Sequence, residues 1–495
     1  MKSMNFHADA RRASFFLLAL PGFLGAALFL YTAYLKINYP YLVGLGEPAL
    51  SQAVRYFSEG KIPYHDLSVP PFSLVPYGPV YLVLAGALRP IFSAPFVGGR
   101  LVTLCSTTAL CFLIYAILRS AGARRDFSLA GIFLFICHPF VQVWGVQVNV
   151  DMTAVCLTTA SFYFLWKYTL GNYRQNHFLA AGVFFSVAAF FTKSSMAAVP
   201  AAFFWFLLFQ KKFKLAAVFF LLEAALCGLI YLALNHWTQG GYFFHTTYEI
   251  GKRRVFYQLF FRYWWVLIRD APVFIPLILF GFSEIFQKGK RQFFGFYVLF
   301  VLILTFSLAK QGSDTNYFLE LCVAASLSLG MTLENYFARR AWVQAAVYAV
   351  LAAQILAWVL PVGDLKSLKA GYDAGREYFD RVSQLVKKTR GDILSEDMSL
   401  LVANGKEIFY EPFPMAQMSY SGAWDEKPIL DALDKQLFSV AILYFYAPSL
   451  RASRTFTPSF LKMFNQKYRF IGRSTAPVEA RSLASNALYF YERKR

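Results

Sequence analysis

Three acids stand where chemistry on a polar substrate could be run at the rim of an apolar bundle. Glu47, Asp66 and Asp151 each fall in, or at the edge of, a polar segment between long apolar runs. A carboxylate within about 3 Å of a hydroxyl can take its proton as that hydroxyl attacks. Basic residues occupy matching segments: Lys193 between two apolar runs, Lys252, Arg253 and Arg254 in a row, and Lys310 at the head of another polar loop. Cations so placed stabilise the charge that grows on a departing phosphate. Other side chains there can hold a ligand by hydrogen bonds or ring faces: Tyr41, Tyr64, His65 and Tyr77 early in the chain, and Asp314, Asn316 and Glu320 later.

Each candidate also has a structural reading. Glu47 precedes Pro48 and can belong to an interfacial helix start. Asp66, next to turn residues, can make an Asx turn. Asp151 opens an apolar run, where a helix dipole favours an acid. Lys193 can snorkel, and the basic triplet can meet anionic head groups in general. Glu320 lies about one turn into an apolar run and needs a partner, which Lys193 or Lys310 can supply. His65 has no second His or Cys and no acid cluster nearby, so no metal site is expected.

The elements that must position these residues are helices in a membrane. The chain has 495 residues, 57% apolar and 19% aromatic, with 15% charged, whereas a soluble domain carries about 25% charged residues. Its apolar runs imply eleven spans, near 14–35, 97–118, 127–144, 152–169, 178–192, 195–210, 215–235, 263–283, 293–309, 316–335 and 342–360. The net charge of +20 is spread over small clusters between these runs: Arg11 and Arg12, Arg119 with Arg124 and Arg125, Arg174, Lys211 with Lys212 and Lys214, Lys288 with Lys290 and Arg291, and Arg339 with Arg340. That is the positive-inside pattern rather than a nucleic-acid surface. A cytoplasmic N-terminus, on a retained anchor, puts all of these clusters inside. It leaves residues 38–96, 146–151, Lys193, 236–262, 310–316 and everything after Pro361 outside. The six cysteines lie in or beside apolar runs, with no disulfide framework.

The 38–96 segment is too polar and proline-rich to span lipid, and too aromatic for a linker. It reads as a folded surface loop with an amphipathic surface helix over 77–90. The membrane module covers residues 1–360. Beyond it, residues 361–495 read as a small α/β domain, with helices at 372–388 and 427–435 and strands at 399–403, 438–445, 468–471 and 487–491. No glycine-rich phosphate loop and no internal repeat is seen.

The order and common sidedness of several motifs resemble the GT-C superfamily of polytopic glycosyltransferases, and within it the bacterial dolichyl-phosphate-mannose-protein mannosyltransferase-like and aminoarabinose-transferase-like proteins. The motifs are the early acid of the first outer loop, Pro70-Pro71 through Tyr77-Gly78-Pro79-Val80-Tyr81, Asp151-Met152 at a helix start, Thr192-Lys193 before Pro200, and the loop from Lys310 to Tyr317. The resemblance implies an inverting transfer of one sugar from a polyprenyl-phosphate donor to a glycan, lipid or protein of the cell envelope. This would occur on the outer face of a bacterial inner membrane. Glu47 matches the loop acid that serves such enzymes as general base, although Gly46 stands where the family often has a second acid. On this view Asp66 and Asp151 assist catalysis, and Lys193, Lys252, Arg253, Arg254 and Lys310 bind the donor phosphate. Tyr64, His65, Tyr77, Asp314, Asn316 and Glu320 contact substrate. No metal is required with a monophosphate donor. A divalent metal belongs to the alternative of an oligosaccharyltransferase or ligase using a lipid diphosphate. A lipid-linked-sugar flippase, the other alternative, would show midplane polar residues on broken helices and inverted repeats.

Overall fold

The computed structural model describes residues 2–338, 340–362, 364–447, 455–480 and 487–494. Arg339 and the side chains of Arg11 and Arg12 lie outside the described part.

A backbone in hydrocarbon must satisfy its own hydrogen bonds, so the apolar runs fold as helices. Among the described residues, six are long and apolar enough to cross a bilayer: Ser14–Asn38, Val97–Ser120, Phe213–Trp237, Gly289–Ala309, Thr315–Phe337 and Ala341–Val362. The expected span at 263–283 is instead two helices, Tyr257–Asp270 and Phe274–Phe286, bent by 105° at Ala271–Val273. Counted as one they make a seventh span, so the eleven spans are not reproduced as such. The first of the pair is amphipathic, and Tyr257, Phe261 and Trp265 form an exposed aromatic stripe at i, i+4 and i+8.

The remaining expected spans are helical but shorter or broken. The 127–144 run splits into Arg125–Ile136 and Pro139–Trp144. Pro139 cannot donate to the preceding turn, and the extended His138 caps the second piece by accepting from Phe140 N at 3.1 Å. Val150–Leu170 is a full helix, while Asn176–Phe190 and Ala198–Phe209 are short apolar ones. Lys193 sits in the break between those two. Thr315–Phe337 is the central post of the bundle, with 94% of its most apolar window buried.

The C-terminal region forms a four-stranded sheet in the order β1-β2-β4-β3. Its strands are β1 (Asp392–Ser395), β2 (Phe438–Leu443), β3 (Tyr468–Thr475) and β4 (Ala487–Arg493). β1 and β2 run parallel, and β4 is antiparallel to both of its neighbours. The strand expected at 399–403 is a helix, Ser399–Ala403. Asp397 starts it by accepting from the Ser399 backbone N at 3.2 Å and the Ser399 hydroxyl at 2.5 Å, and the first strand lies just upstream. The helices Leu365–Lys388 and Lys427–Asp434 fall where the pattern put them.

The β1, β2 and β4 strands are covered on both faces, while β3 is largely exposed, and the first polar loop supplies part of each cover. Side chains alternate across a strand. Leu394, Ala441, Leu443 and Tyr491 face a cluster that includes Leu67, Phe72 and Leu74. Ile393, Ile442 and Leu488 face a second cluster with Leu35, Tyr39 and Tyr41 and the Leu365–Lys388 helix. Main-chain bonds fix the union: Phe72 N donates to Phe409 O, and Glu411 N donates to Phe72 O, each at 2.8 Å. Gln52 is bonded both ways to the Ile408 backbone. Within the loop, the helices Glu47–Ser58 and Pro79–Ala87 replace the expected surface helix over 77–90 with a nine-residue one too short to span.

Candidate functional site

The segments expected outside converge at the end of the bundle that carries the sheet domain. Gly78 N donates to Thr192 O at 3.3 Å, and Val80 N to Phe191 O at 3.2 Å. A side-chain carbon on Gly78 would overlap the Phe191 carbonyl, so glycine is required for this approach. Phe256 N donates to Ala309 O at 2.7 Å and Gln311 N to Arg254 O at 2.9 Å. The basic triplet and the Lys310 loop are therefore one paired unit. Some of the basic loops meet one another: Arg124 N donates to Glu334, and Lys290 reaches Leu170 O and Asn172.

At the centre of the convergent end is a buried ion pair. Lys193 donates from Nζ to Asp151 Oδ1, and both residues are at most 6% exposed. Asn316 Nδ2 donates to the other carboxylate oxygen at 2.9 Å. Asn149 caps the Asp151 helix by accepting from Asp151 N at 2.8 Å, and the helix dipole further favours the charged acid. The Lys193 ammonium lies 3.8 Å from the Tyr317 ring centre. Burial pulls this ammonium down, but Asp151, Tyr317 and Tyr77 outweigh it and hold its pKa above the usual lysine range.

Arg253 is the second cation of this site. It forms a two-pronged pair with Glu249, at 2.8 and 2.9 Å. Its charge reaches Tyr317 and Tyr77, the same two phenols that surround Lys193. Both cations thus act on the same pair of tyrosines. An anionic group bearing ring hydroxyls meets both charge and aromatic faces there.

The Glu47 carboxylate is fully engaged by protein donors. It is 1% exposed, and Arg100 grips both oxygens, Nε to Oε1 at 2.9 Å and Nη2 to Oε2 at 2.7 Å. Val148 N donates to Oε1 at 2.8 Å and Val43 N to Oε2 at 2.9 Å. Four donors fill the four lone-pair positions of a carboxylate, which leaves none to take a substrate proton. Arg100 in turn donates to the carbonyls of Lys36, Tyr39 and Tyr41. In this arrangement the pair clamps the start of the first loop onto two helices.

The other candidates divide likewise. Asp66 is exposed and accepts from Ser68 N and the Ser68 hydroxyl, an Asx turn whose bonds hold its carboxyl below the usual range. His65 turns both ring nitrogens towards carbonyls, of Pro63 at 3.1 Å and Pro71 at 2.5 Å. Tyr64 is buried, and its hydroxyl donates to Tyr77 O at 2.8 Å. Lys252 is exposed over Tyr248. Arg254 donates to Tyr420 O of the C-terminal domain. Lys310 joins the site through the backbone pairing, and Asp314 accepts from Thr315 N at 2.6 Å to start a short 3-10 turn. Glu320 is buried one turn beyond Asn316. Among the described residues, no group of three or more His, Cys, Asp or Glu is placed to hold a metal ion.

Sequence reasoning missed four members: Arg100, Tyr317, Glu411 and the coupling role of His245. Arg100 was visible as a charge near the start of an apolar run. His245 receives Val75 N at 3.2 Å and bonds His65 O at 2.8 Å, while Glu411 receives Leu74 N at 2.9 Å. Such long-range main-chain partners leave no local pattern.

The comparisons with known proteins agree with this architecture. Residues 75–237 match the family model described as dolichyl-phosphate-mannose-protein mannosyltransferase. No curated protein matches the sequence. ArnT from Cupriavidus metallidurans bound to undecaprenyl phosphate is similar in fold, with a TM-score of 0.60 and 11% identity over 94% of this chain and 97% of that one. An apo oligosaccharyltransferase from Archaeoglobus fulgidus gives 0.55 and 13% over 93% and 73%. The archaeal oligosaccharyltransferase AglB from the same organism, in complex with an inhibitory peptide and a dolichol-phosphate, gives 0.52 and 11% over 96% and 74%. Over nearly its whole length, therefore, the chain carries a membrane fold resembling that of the GT-C glycosyltransferases.

Proposed function

We propose that this protein is an inverting glycosyltransferase that moves one sugar from a polyprenyl-phosphate donor to a cell-envelope glycan, lipid or protein, on the outer face of a bacterial inner membrane. The observation that carries the reading is the buried Asp151–Lys193 pair, with Tyr317 against the ammonium. Lys193 and Arg253 receive the donor phosphate and offset the charge it gains as it leaves. Lys193 is bound to Asp151 before substrate arrives, so phosphate draws the ammonium from its partner and frees a carboxylate oxygen. Asp151, whose oxygens hold one donor each, then takes the proton of the attacking hydroxyl. Glu47 serves this chemistry by holding the first loop through Arg100.

The test is release of undecaprenyl phosphate from an undecaprenyl-phosphate hexose by the full chain in proteoliposomes with envelope acceptors. Asp151→Asn keeps the shape and removes the base. Turnover is expected to fall by at least about 100-fold, and full turnover in this variant would sink the assignment. The likeness to oligosaccharyltransferases favours a second reading, transfer from a lipid diphosphate. Turnover that vanishes with a chelator and returns with a divalent cation would select it.

A further inference from the structure

Asn316 and Glu320 sit four residues apart at the start of the central post, one helical turn along the same face. Asn316 gives its amide nitrogen to Asp151 Oδ2, and a carboxylate can only accept, so the orientation of the amide is set by chemistry. Its carbonyl oxygen, Oδ1, therefore faces away from Asp151, and among the described residues no donor meets it. Glu320 is 5% exposed, and its Oε1 also meets no donor. It stands one turn along from Asn316, the residue that holds Asp151. Buried polar oxygens are normally satisfied, and one left bare is a costly exception.

Two bare acceptors beside a phosphate-binding cation define a ligand by complement. It must present hydrogen-bond donors on one side and negative charge on the other. A lipid tail has neither, and a phosphodiester group has only the second. We propose that Asn316 Oδ1 and Glu320 Oε1 receive the hydroxyl or amino groups of the donor's sugar ring, making this turn the sugar-recognition element of the site. The proposal rests on the glycosyltransferase reading. The sugar lies against the post, and the phosphate bridges towards Lys193.

The experiment is a titration of the full chain in nanodiscs with three lipids: undecaprenyl phosphate, undecaprenyl-phosphate hexose and undecaprenyl-phosphate aminohexose. Glu320→Gln should leave the Kd for undecaprenyl phosphate within about twofold and weaken a sugar-bearing lipid about tenfold. A larger loss for the aminohexose identifies an ammonium partner, and equal losses identify hydroxyls. The melting temperature of Glu320→Gln, measured beside that of the wild type, guards against a folding defect in this variant. Equal weakening of all three lipids, or none, overturns the proposal while leaving the donor reading intact. If the wild-type chain binds none of them, both fall together.

Discussion

Glu47 and Arg100 owe each other their charge. Neither is solvated, and each satisfies the other together with the main chain of the first loop. Removing one partner leaves a buried charge uncompensated, at a cost of about 3–5 kcal/mol. Glu47→Gln or Arg100→Met should therefore lower the melting temperature sharply, while Glu47→Gln with Arg100→Met loses less than the two singles added. A double mutant that loses the full sum would show that the residues act independently. A clamp predicts parallel loss of stability and activity, whereas a base predicts lost turnover in a stable protein. The residue types here were legible from sequence, since acids and cations at the ends of apolar runs are expensive and rarely idle. Pairing was not legible: Glu47 finds Arg100, and Asp151 finds Lys193, across distances that only the fold closes.

At the scale of elements, the stretch Leu74–Val75 is held by two groups with opposite pH behaviour. His245 is buried, and desolvation pushes it down to about 4 from 6.5. The stability it contributes is present above 6.5 and is lost as pH falls through 4. Glu411 is pushed up to about 7 from 4.5, by burial first and by Glu249. Its contribution is present below 4.5 and is lost as pH rises through 7. Each amounts to about 3 kcal/mol across its window. Glu411→Gln should thus gain on the wild type as pH rises from 4.5 to 7, and His245→Gln should gain on it as pH falls from 6.5 to 4. Melting curves across that range check both, and a pH-independent difference would refute the account. Element breaks were partly legible. Pro139 announced the split of the 127–144 run, whereas the 105° bend after Asp270 has only Pro272 to mark it. Ser399–Ala403 reads as a strand because its run is short and apolar. The Asp397 cap, a local competitor, makes it a helix.

Over the whole molecule, the gathering of the polar segments was legible, because charge asymmetry and apolar length are global sums. The union of the first loop with the C-terminal sheet was not, because nothing in either stretch names its partner. That union carries a prediction. A chain ending at Leu360 strips the cover from Leu67, Phe72 and Leu74. Limited proteolysis should then cut within residues 60–76, which stay protected in the full chain; equal protection in both would refute the union as the source of order.

The same union sets a schedule for biosynthesis. Leu74 waits for Glu411, 337 residues downstream. At about 5–20 residues per second the ribosome needs on the order of 20–70 s to supply it. Throughout that interval the apolar side of an aromatic loop lacks its cover, and slower translation lengthens the exposure.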